Sequence, residues 1–166
     1  MMRIFGIDPG SRVTGYGIID TQGNKSIYVG SGVIVTKTKE FHKRLHVIFK
    51  EIETLMAQNQ PDVVSIENVF MHRNADSALK LGQAKAAAIC GTFKSGLTVY
   101  EYAARQVKQA VVGKGSAEKE QVQYMVKIIL GIKNRELRLD ESDALAIAIC
   151  HAHSYEMEKK MKPLGR

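Results

Sequence analysis

Three strand-like stretches stand before the first helix-like stretch, and this order constrains the fold more than any other feature of the chain. They are MRIFGID, VTGYGIID and SIYVGSGVIVT, and only PGSR and TQGNK separate them. Gly23 and Asn24 in the second connection suit a tight hairpin turn. Because such short connections join antiparallel neighbours, the sequence predicts an antiparallel meander of three strands.

Beyond the meander, helix-like and strand-like stretches alternate. Apolar residues recur with helical spacing over 41–56, VVSIENVF is typical of a buried strand, and an Ala-rich helix follows with Asn74 or Asp76 as its cap. LTVYEYA predicts a fifth strand. Two helices are predicted in AARQVKQAVVG and AEKEQVQYMVKIILG, with Ser116 able to cap the second, and a last helix begins near Asp140.

The order β-β-β-α-β-α-β-α-α-α predicts one α/β domain over residues 1–155. Its five-stranded mixed sheet would combine the antiparallel meander with two parallel strands, flanked by helices. A charged tail over residues 156–166 is predicted to lack fixed structure. A dinucleotide-binding sheet is excluded, because it would carry G-x-G-x-x-G after its first strand, where this chain has GIDPGS.

Composition narrows the class of protein. With 166 residues, 45% of them hydrophobic, the chain can build one core. It has no apolar run of about 20 residues and no signal-like start, so a cytoplasmic protein without membrane segments is expected. Cys90 and Cys150 lie in apolar surroundings and are predicted to be reduced core residues. Lys and Arg outnumber Asp and Glu by 24 to 17, which favours nucleic acid as a partner.

The first strand ends on a carboxylate, which allows two interpretations. Asp8 either begins an ordinary turn with Pro9 and Gly10 or serves a site at the strand end. Glu67 interrupts the fourth apolar strand at its far end, and right-handed crossover rules allow that strand to lie parallel to and beside the first. The two carboxylates would then meet at one edge of the sheet, where open α/β sheets commonly place their sites.

Two further acids stand in the first turn of the last helix. Asp140 and Asp143 are three residues apart, so both can face one point, although acids in a first turn can also serve only as caps. Glu141 points about 100° away from Asp140 and is predicted to be solvated. His151 is about 16 Å farther along the helix, too far to share a metal with Asp140, and is either a surface or a packing histidine.

Together the four acids would repel one another unless a cation joined them. Hard divalent ions such as Mg²⁺ bind carboxylate oxygens, and two such ions side by side are the arrangement that cleaves phosphodiesters. A basic chain with such an acidic pocket predicts a metal-dependent nuclease. The four residues are Asp8, Glu67, Asp140 and Asp143.

Four stretches closely resemble the RuvC family of bacterial Holliday-junction endonucleases. They are GIDPGSRVTGYG, IENVFMHRNADSALKLGQA, EYAARQVKQAVVGKGSAEKEQV and DESDALAIAI, in the family's order, and the similarity runs from about Arg3 to His153. The resemblance implies a ribonuclease H-like fold and a homodimer that nicks two opposed strands of a four-way DNA junction in recombination and DNA repair. It also implies Mg²⁺ or Mn²⁺, ligatable 5′-phosphate and 3′-hydroxyl ends, and coupling to the RuvA and RuvB branch-migration proteins.

The family's catalytic acids correspond to the same four carboxylates, which we expect to hold two Mg²⁺ ions. By resemblance, the aromatic ring at position 70 would stack on unpaired bases near the crossover, with a buried core position as the alternative. Lysines on amphipathic helices commonly form only a solvated face, and the resemblance instead assigns two of them to DNA. DNA contact is predicted for Phe70, Arg73, Lys80, Lys108 and Lys119.

Three alternatives stay open from the sequence. The small residues of NADSALKLGQAKAAAICG form a two-fold interface in the family, yet they could also pack that helix on its own sheet. The actin and sugar-kinase ATPases share the strand-Asp-Gly start, but they need a second similar domain for which this chain has no room. A non-catalytic junction-binding protein would account for the basic charge and leave the four acids without a purpose.

Overall fold

The computed structural model describes residues 1–69 and 74–161, which form a five-stranded sheet with helices on both faces. The strands are β1 (Met2–Asp8), β2 (Val13–Gln22), β3 (Lys25–Val35), β4 (Val63–Asn68) and β5 (Val99–Ala103). The helices are α1 (Phe41–Asn59), α2 (Ala75–Thr92), α3 (Ala104–Val112), α4 (Lys119–Ile129) and α5 (Leu139–Met161), with a short 3₁₀ turn at Phe93–Ser95.

The sheet is mixed, as predicted. Its strand order is β3-β2-β1-β4-β5. The first three strands pair antiparallel, whereas β4 pairs parallel with β1 and with β5. The prediction that the fourth strand lies beside the first is therefore confirmed, and the carboxyl ends of β1, β4 and β5 share one edge of the sheet.

The central strands of the sheet are buried on both faces, each under its own layer of apolar side chains from the helices. Successive residues of β1 alternate between the two layers: Ile4 packs under α3, α4 and α5, whereas Phe5 packs under α1 and α2. Helix α5 is the most deeply buried helix, with buried side chains at every position from residue 141 to residue 152 except Asp143. This helix brings its first turn to the shared edge of the sheet.

Two glycines allow α5 to lie directly on the sheet. A Cβ atom added to Gly6 of β1 would stand 2.2 Å from the carbonyl oxygen of Ala144, and one added to Gly15 of β2 would stand 2.0 Å from that of Asp140. Both distances are far inside van der Waals contact, so only glycine fits at either position. The glycines of the opening motif thus fix how closely the helix approaches the strands.

Two local predictions about helix starts have different outcomes. Asn74 caps α2, since its side-chain oxygen accepts a hydrogen bond from the backbone N–H of Ser77 at 3.2 Å. The prediction of Ser116 as a cap is wrong. Helix α4 begins at Lys119, and its first turn is closed by Gln121, whose side-chain oxygen accepts from the N–H of Glu118 at 2.9 Å.

Cys150 is buried as predicted, but the prediction that Cys90 is a core residue is wrong, because its side chain is exposed. The inward face of α2 is formed by Ala84 and Ala88. Cys90 follows Ala88 by two positions, about 200° around the helix, and therefore faces outward.

The predicted unstructured tail also needs correction. Residues 156–161 belong to α5, which runs to Met161. Glutamate and lysine are good helix formers, and Lys159 and Lys160 lie in the last turn, where the helix dipole favours positive charge. Within 1–69 and 74–161, no helix is long and apolar enough to cross a membrane.

Candidate active site

The two strand-borne acids stand side by side at the shared edge of the sheet. Asp8 is the last residue of β1, and Glu67 lies one residue before the end of β4. The preceding residues, Ile7 and Ile66, are paired across the two strands, so the carboxylates follow at matching positions. The parallel pairing of two central strands therefore fixes the backbone of both acids.

The two helix-borne acids reach the same edge through the first turn of α5. Gly15 pairs with Asp8 across β1 and β2, and the carbonyl oxygen of Asp140 lies directly over Gly15. The bare glycine lets the helix begin next to Asp8. Asp143, one turn farther along α5, then faces the strand ends.

A cavity of about 230 Å³ opens at this point. Helices α3 and α4 contribute two lysines to its lining. Its lining comprises three acids, two lysines and three apolar side chains: Asp8, Glu67, Asp143, Lys108, Lys119, Ala104, Val107 and Val122. Asp140 lies beside the cavity and acts electrostatically on Asp8 and Asp143.

Burial and like charge disfavour the ionised form of Asp8. Burial raises the pKa of Asp8 well above its ordinary value, and the negative charges of Asp143, Glu67 and Asp140 raise it further. Lys119 opposes this shift. Asp8 is thus the acid that most requires an added positive charge to remain ionised at neutral pH.

The pKa values of Glu67 and Asp143 are also raised, but less than that of Asp8. Burial raises the pKa of each carboxyl, and Asp143 also raises that of Glu67. The lysines act the other way: Lys119 Nζ lies 3.3 Å from Asp143 Oδ2, and both Lys108 and Lys119 lower the pKa of each acid. In turn, Asp143 raises the pKa of Lys119.

The donor set suits a hard divalent cation, because every acid offers carboxylate oxygens and the cluster has an excess of negative charge. Among residues 1–69 and 74–161, no three His, Cys, Asp or Glu side chains converge closely enough to hold one ion in this conformation. Burial raises the pKa of three of the acids, and repulsion by neighbouring carboxylates raises it further. A cation with two positive charges would relieve that repulsion, so the residues present fit such an ion.

Other predicted site residues lie elsewhere. Lys80 is on the exposed surface of α2, where Nζ bonds Asp76 Oδ2 at 2.7 Å, and it does not line the cavity. Phe70 and Arg73 fall outside the described residues. His151 is a packing histidine, buried with its Nδ1 atom 2.7 Å from the hydroxyl of Tyr102.

The prediction that Glu141 is solvated is wrong. Its side chain is only 5% exposed and forms an ion pair with Arg135, from the connection before α5. Helical geometry correctly predicts that Glu141 points away from Asp140. However, the face of α5 that carries Glu141 is covered by strand β3. A glutamate three residues after Arg138 was the available signal, since that spacing is typical of a side chain returning to the helix start.

Comparison with known proteins identifies relatives across the whole chain. A family model described as crossover junction endodeoxyribonuclease RuvC matches residues 4–151. The protein of that name from Methylococcus capsulatus is 54% identical over 166 residues, covering 100% of this chain and 99% of the relative. The one from Geobacter sp. strain M21 is 55% identical over 162 residues, covering 97% and 98%.

Solved structures agree with the sequence matches. Thermus thermophilus RuvC in complex with a Holliday junction substrate superposes with a TM-score of 0.88 at 35% identity, covering 95% of this chain and 97% of the other. The yeast mitochondrial Holliday junction resolvase Ydc2, at 14% identity, covers 97% and 81% with a TM-score of 0.70 and shares the fold. The architecture is the ribonuclease H-like one, and the chain belongs to the RuvC family of crossover junction endodeoxyribonucleases.

Proposed function

We propose that this protein is a structure-selective endonuclease that resolves four-way DNA junctions by paired, symmetric nicks in two opposed strands. The observation behind the proposal is the meeting of four acids at one sheet edge, in a chain of this nuclease family. A non-catalytic junction-binding protein would have no use for that cluster. The products would be ligatable 5′-phosphate and 3′-hydroxyl ends, formed during homologous recombination and repair.

The acids of the cavity would hold the divalent metal that this nuclease family implies. We assign two Mg²⁺ ions, replaceable by Mn²⁺, to Asp8, Glu67, Asp140 and Asp143. Bound ions of this kind supply activation of water and stabilisation of the leaving 3′ oxygen. The protein's own contribution is to fix the four carboxylates on two central strands and one helix start, where burial limits competing water.

The lysines of the cavity would contact the scissile phosphate and its neighbours. Lys119 and Lys108 line the same cavity as three of the acids, so a phosphate entering the cavity would meet positive as well as negative groups. The positive charges would attract the phosphate and offset repulsion by the acids. Phe70, Arg73 and Lys80 are proposed to bind the junction as well.

A symmetric junction has two equivalent cleavage points, and we propose that a homodimer with two-fold symmetry supplies one active site for each. The exposed small residues of α2 would contribute to the interface. We further propose that the dimer acts in the cytoplasm with the RuvA and RuvB branch-migration proteins.

The direct test is cleavage of a synthetic four-way junction, with linear duplex of the same sequence as the control substrate. Paired symmetric nicks are expected only on the junction, only with Mg²⁺, and not after addition of EDTA. The control variant is Glu136→Gln, which removes a carboxylate that is 97% exposed and lies outside the cavity. This variant should cleave the junction at the parental rate. Junction binding without any metal-dependent nick would favour the non-catalytic alternative.

A further inference from the structure

We infer that Glu141 and Arg135 together are positioning residues that hold the first turn of α5 against strand β3 and thereby set the places of Asp140 and Asp143. The inference rests on the proposed function, and it deepens the account of the same site. Neither residue lines the cavity, so both would act through the two aspartates rather than on the substrate.

Both carboxylate oxygens of Glu141 are engaged. Oε2 accepts a hydrogen bond from the backbone N–H of Arg138 at 2.8 Å, which closes the start of the helix. Oε1 forms the ion pair with Arg135 and lies 3.5 Å from the hydroxyl of Ser31. One side chain thus connects the helix start, the preceding connection and the edge strand.

Arg135 extends the same connection into β3. Its guanidinium donates to the hydroxyl of Ser31 at 3.0 Å, to the carbonyl oxygen of Ser31 at 3.4 Å, and to the hydroxyl of Tyr28. Strand β3 pairs with β2, and β2 pairs with β1. Through these pairings, the bonds from Arg135 fix the position of the helix start relative to β1, the strand that carries Asp8.

The arrangement exceeds what helix capping requires. A capping carboxylate needs one oxygen on a backbone N–H and can remain in water, where its charge costs nothing to solvate. Here the carboxylate is buried, and burying a charge is costly unless a counter-charge with several hydrogen bonds accompanies it. Charge-assisted bonds from a planar guanidinium also fix direction, which a point charge does not.

Asp140 and Asp143 flank Glu141 in the same turn, so a shift of that turn moves both. The turn also packs on Gly15, which has no side chain that could hold the turn in place. The Arg135–Glu141 pair supplies the directional contact that the bare strand surface lacks. Groups that orient metal ligands typically affect affinity or rate by about 10–100-fold when removed.

The test uses Arg135→Gln, Glu141→Gln and the double variant in the full-length protein. Each single variant should lower kcat for junction cleavage in saturating Mg²⁺ by about 10–100-fold, with KM for the junction unchanged. The double variant should be no worse than the poorer single variant, because both remove one shared connection. Arg135→Lys, which keeps the charge without the fork, should recover kcat only in part.

Binding of Mn²⁺ alone, followed by electron paramagnetic resonance, gives a readout that does not depend on cleavage. The single variants should bind Mn²⁺ about tenfold more weakly than the parent. The control is Lys127→Gln. It removes a positive charge whose Nζ atom lies 3.7 Å from Oε1 of the exposed Glu136, and it should change neither readout.

Parental kcat and parental Mn²⁺ affinity in Arg135→Gln and Glu141→Gln would overturn the inference. So would additive losses in the double variant. A kcat loss explained by a smaller folded fraction, counted by junction binding in EDTA, would overturn it as well. If the parent protein itself did not cleave junctions in Mg²⁺, the proposed function would fail instead, and the Mn²⁺ measurement would still decide the role of the pair.

Discussion

The two halves of the acid cluster are held in different ways. Asp8 and Glu67 end neighbouring strands whose backbones are paired in the middle of the sheet. Asp140 and Asp143 belong to a helix start that, in the part of the chain that the structure describes, no backbone hydrogen bond joins to the strands. The helix start packs on Gly15 of β2, and the side chains of Glu141 and Arg135 connect it to β3, the edge strand of the sheet.

The difference indicates which half can move. A residue within a paired strand cannot shift without breaking ladder hydrogen bonds, whereas a helix slides on its packing surface for a smaller cost. We therefore expect substitutions around the strand-borne acids to act by changing charge. Substitutions around the helix-borne acids should act by changing distance.

The largest effect is expected from Asp8→Asn in the strand half. The backbone stays paired, but a central negative charge is lost, so cleavage of a four-way junction in Mg²⁺ should fall by more than about 100-fold, beyond the range seen for groups that only orient ligands. Junction binding in EDTA, followed by fluorescence anisotropy, should remain close to the parental value. Cleavage at the parental rate would remove Asp8 from the catalytic set.

In the helix half, Gly15→Ala should act through distance. The new methyl group would stand 2.0 Å from the carbonyl oxygen of Asp140, so either α5 or β2 must move. We expect a loss of about 1–3 kcal/mol in the free energy of unfolding, and a fall in cleavage of about tenfold or more.

The control for that variant is Gly30→Ala in β3, where an added Cβ atom would meet no atom of residues 1–69 or 74–161 within 4 Å. Urea denaturation and initial rates of cleavage measure both quantities on the same preparations. Equal behaviour of the two alanine variants would mean that the close approach at Gly15 has no role in placing Asp140.

Between the halves stands Lys119, whose ammonium group faces Asp143. Lys119→Gln should weaken junction binding and reduce by about one the slope of log affinity against log salt concentration, as expected when one phosphate contact is lost. Anisotropy over a KCl series measures the slope. Lys94→Gln removes a lysine paired with Glu53 outside the cavity and should leave the slope unchanged.

The smallest effect concerns the stability of the metal-free protein. The pKa of Asp8 is raised in the folded state, so above its ordinary value of 3.8 the folded protein holds this proton more readily than the unfolded chain does. The Asp8 contribution to the free energy of unfolding therefore decreases as pH rises through the interval between the two pKa values.

Asp8→Asn removes that contribution. In EDTA the variant should gain in melting temperature relative to the parent as pH is raised from 4 to 7, a difference that scanning calorimetry resolves. Addition of Mg²⁺ should stabilise the parent more than the variant. A melting-temperature difference that did not change with pH would contradict the raised pKa.

Local pattern predicted the sheet because each element has a clear period and its connections are short. Crossover geometry predicts the parallel pairing of β1 and β4, and this pairing places Asp8 and Glu67 at the same edge of the sheet. The helix-borne acids were predicted by their spacing within one turn. These parts of the site depend on contacts near in sequence or on general rules of chain topology.

What the sequence did not predict depends on contacts between distant parts of the chain. Glu141 lies 110 residues from Ser31, and nothing in the local pattern indicates that β3 covers it. The outward direction of Cys90 likewise depends on which face of α2 meets the sheet. Spacing within an element fixes relative angles, but only tertiary packing decides which angle is buried.

The glycines beneath α5 have a consequence for how such chains are recognised. A protein that kept Gly6 and Gly15 but had neutral residues in place of the acids could still seat the same helix on the same strands. A pattern search weighted on the glycines would therefore report architecture. A search weighted on the four acids that we propose as catalytic, Asp8, Glu67, Asp140 and Asp143, would separate nucleases from inactive descendants of the same fold.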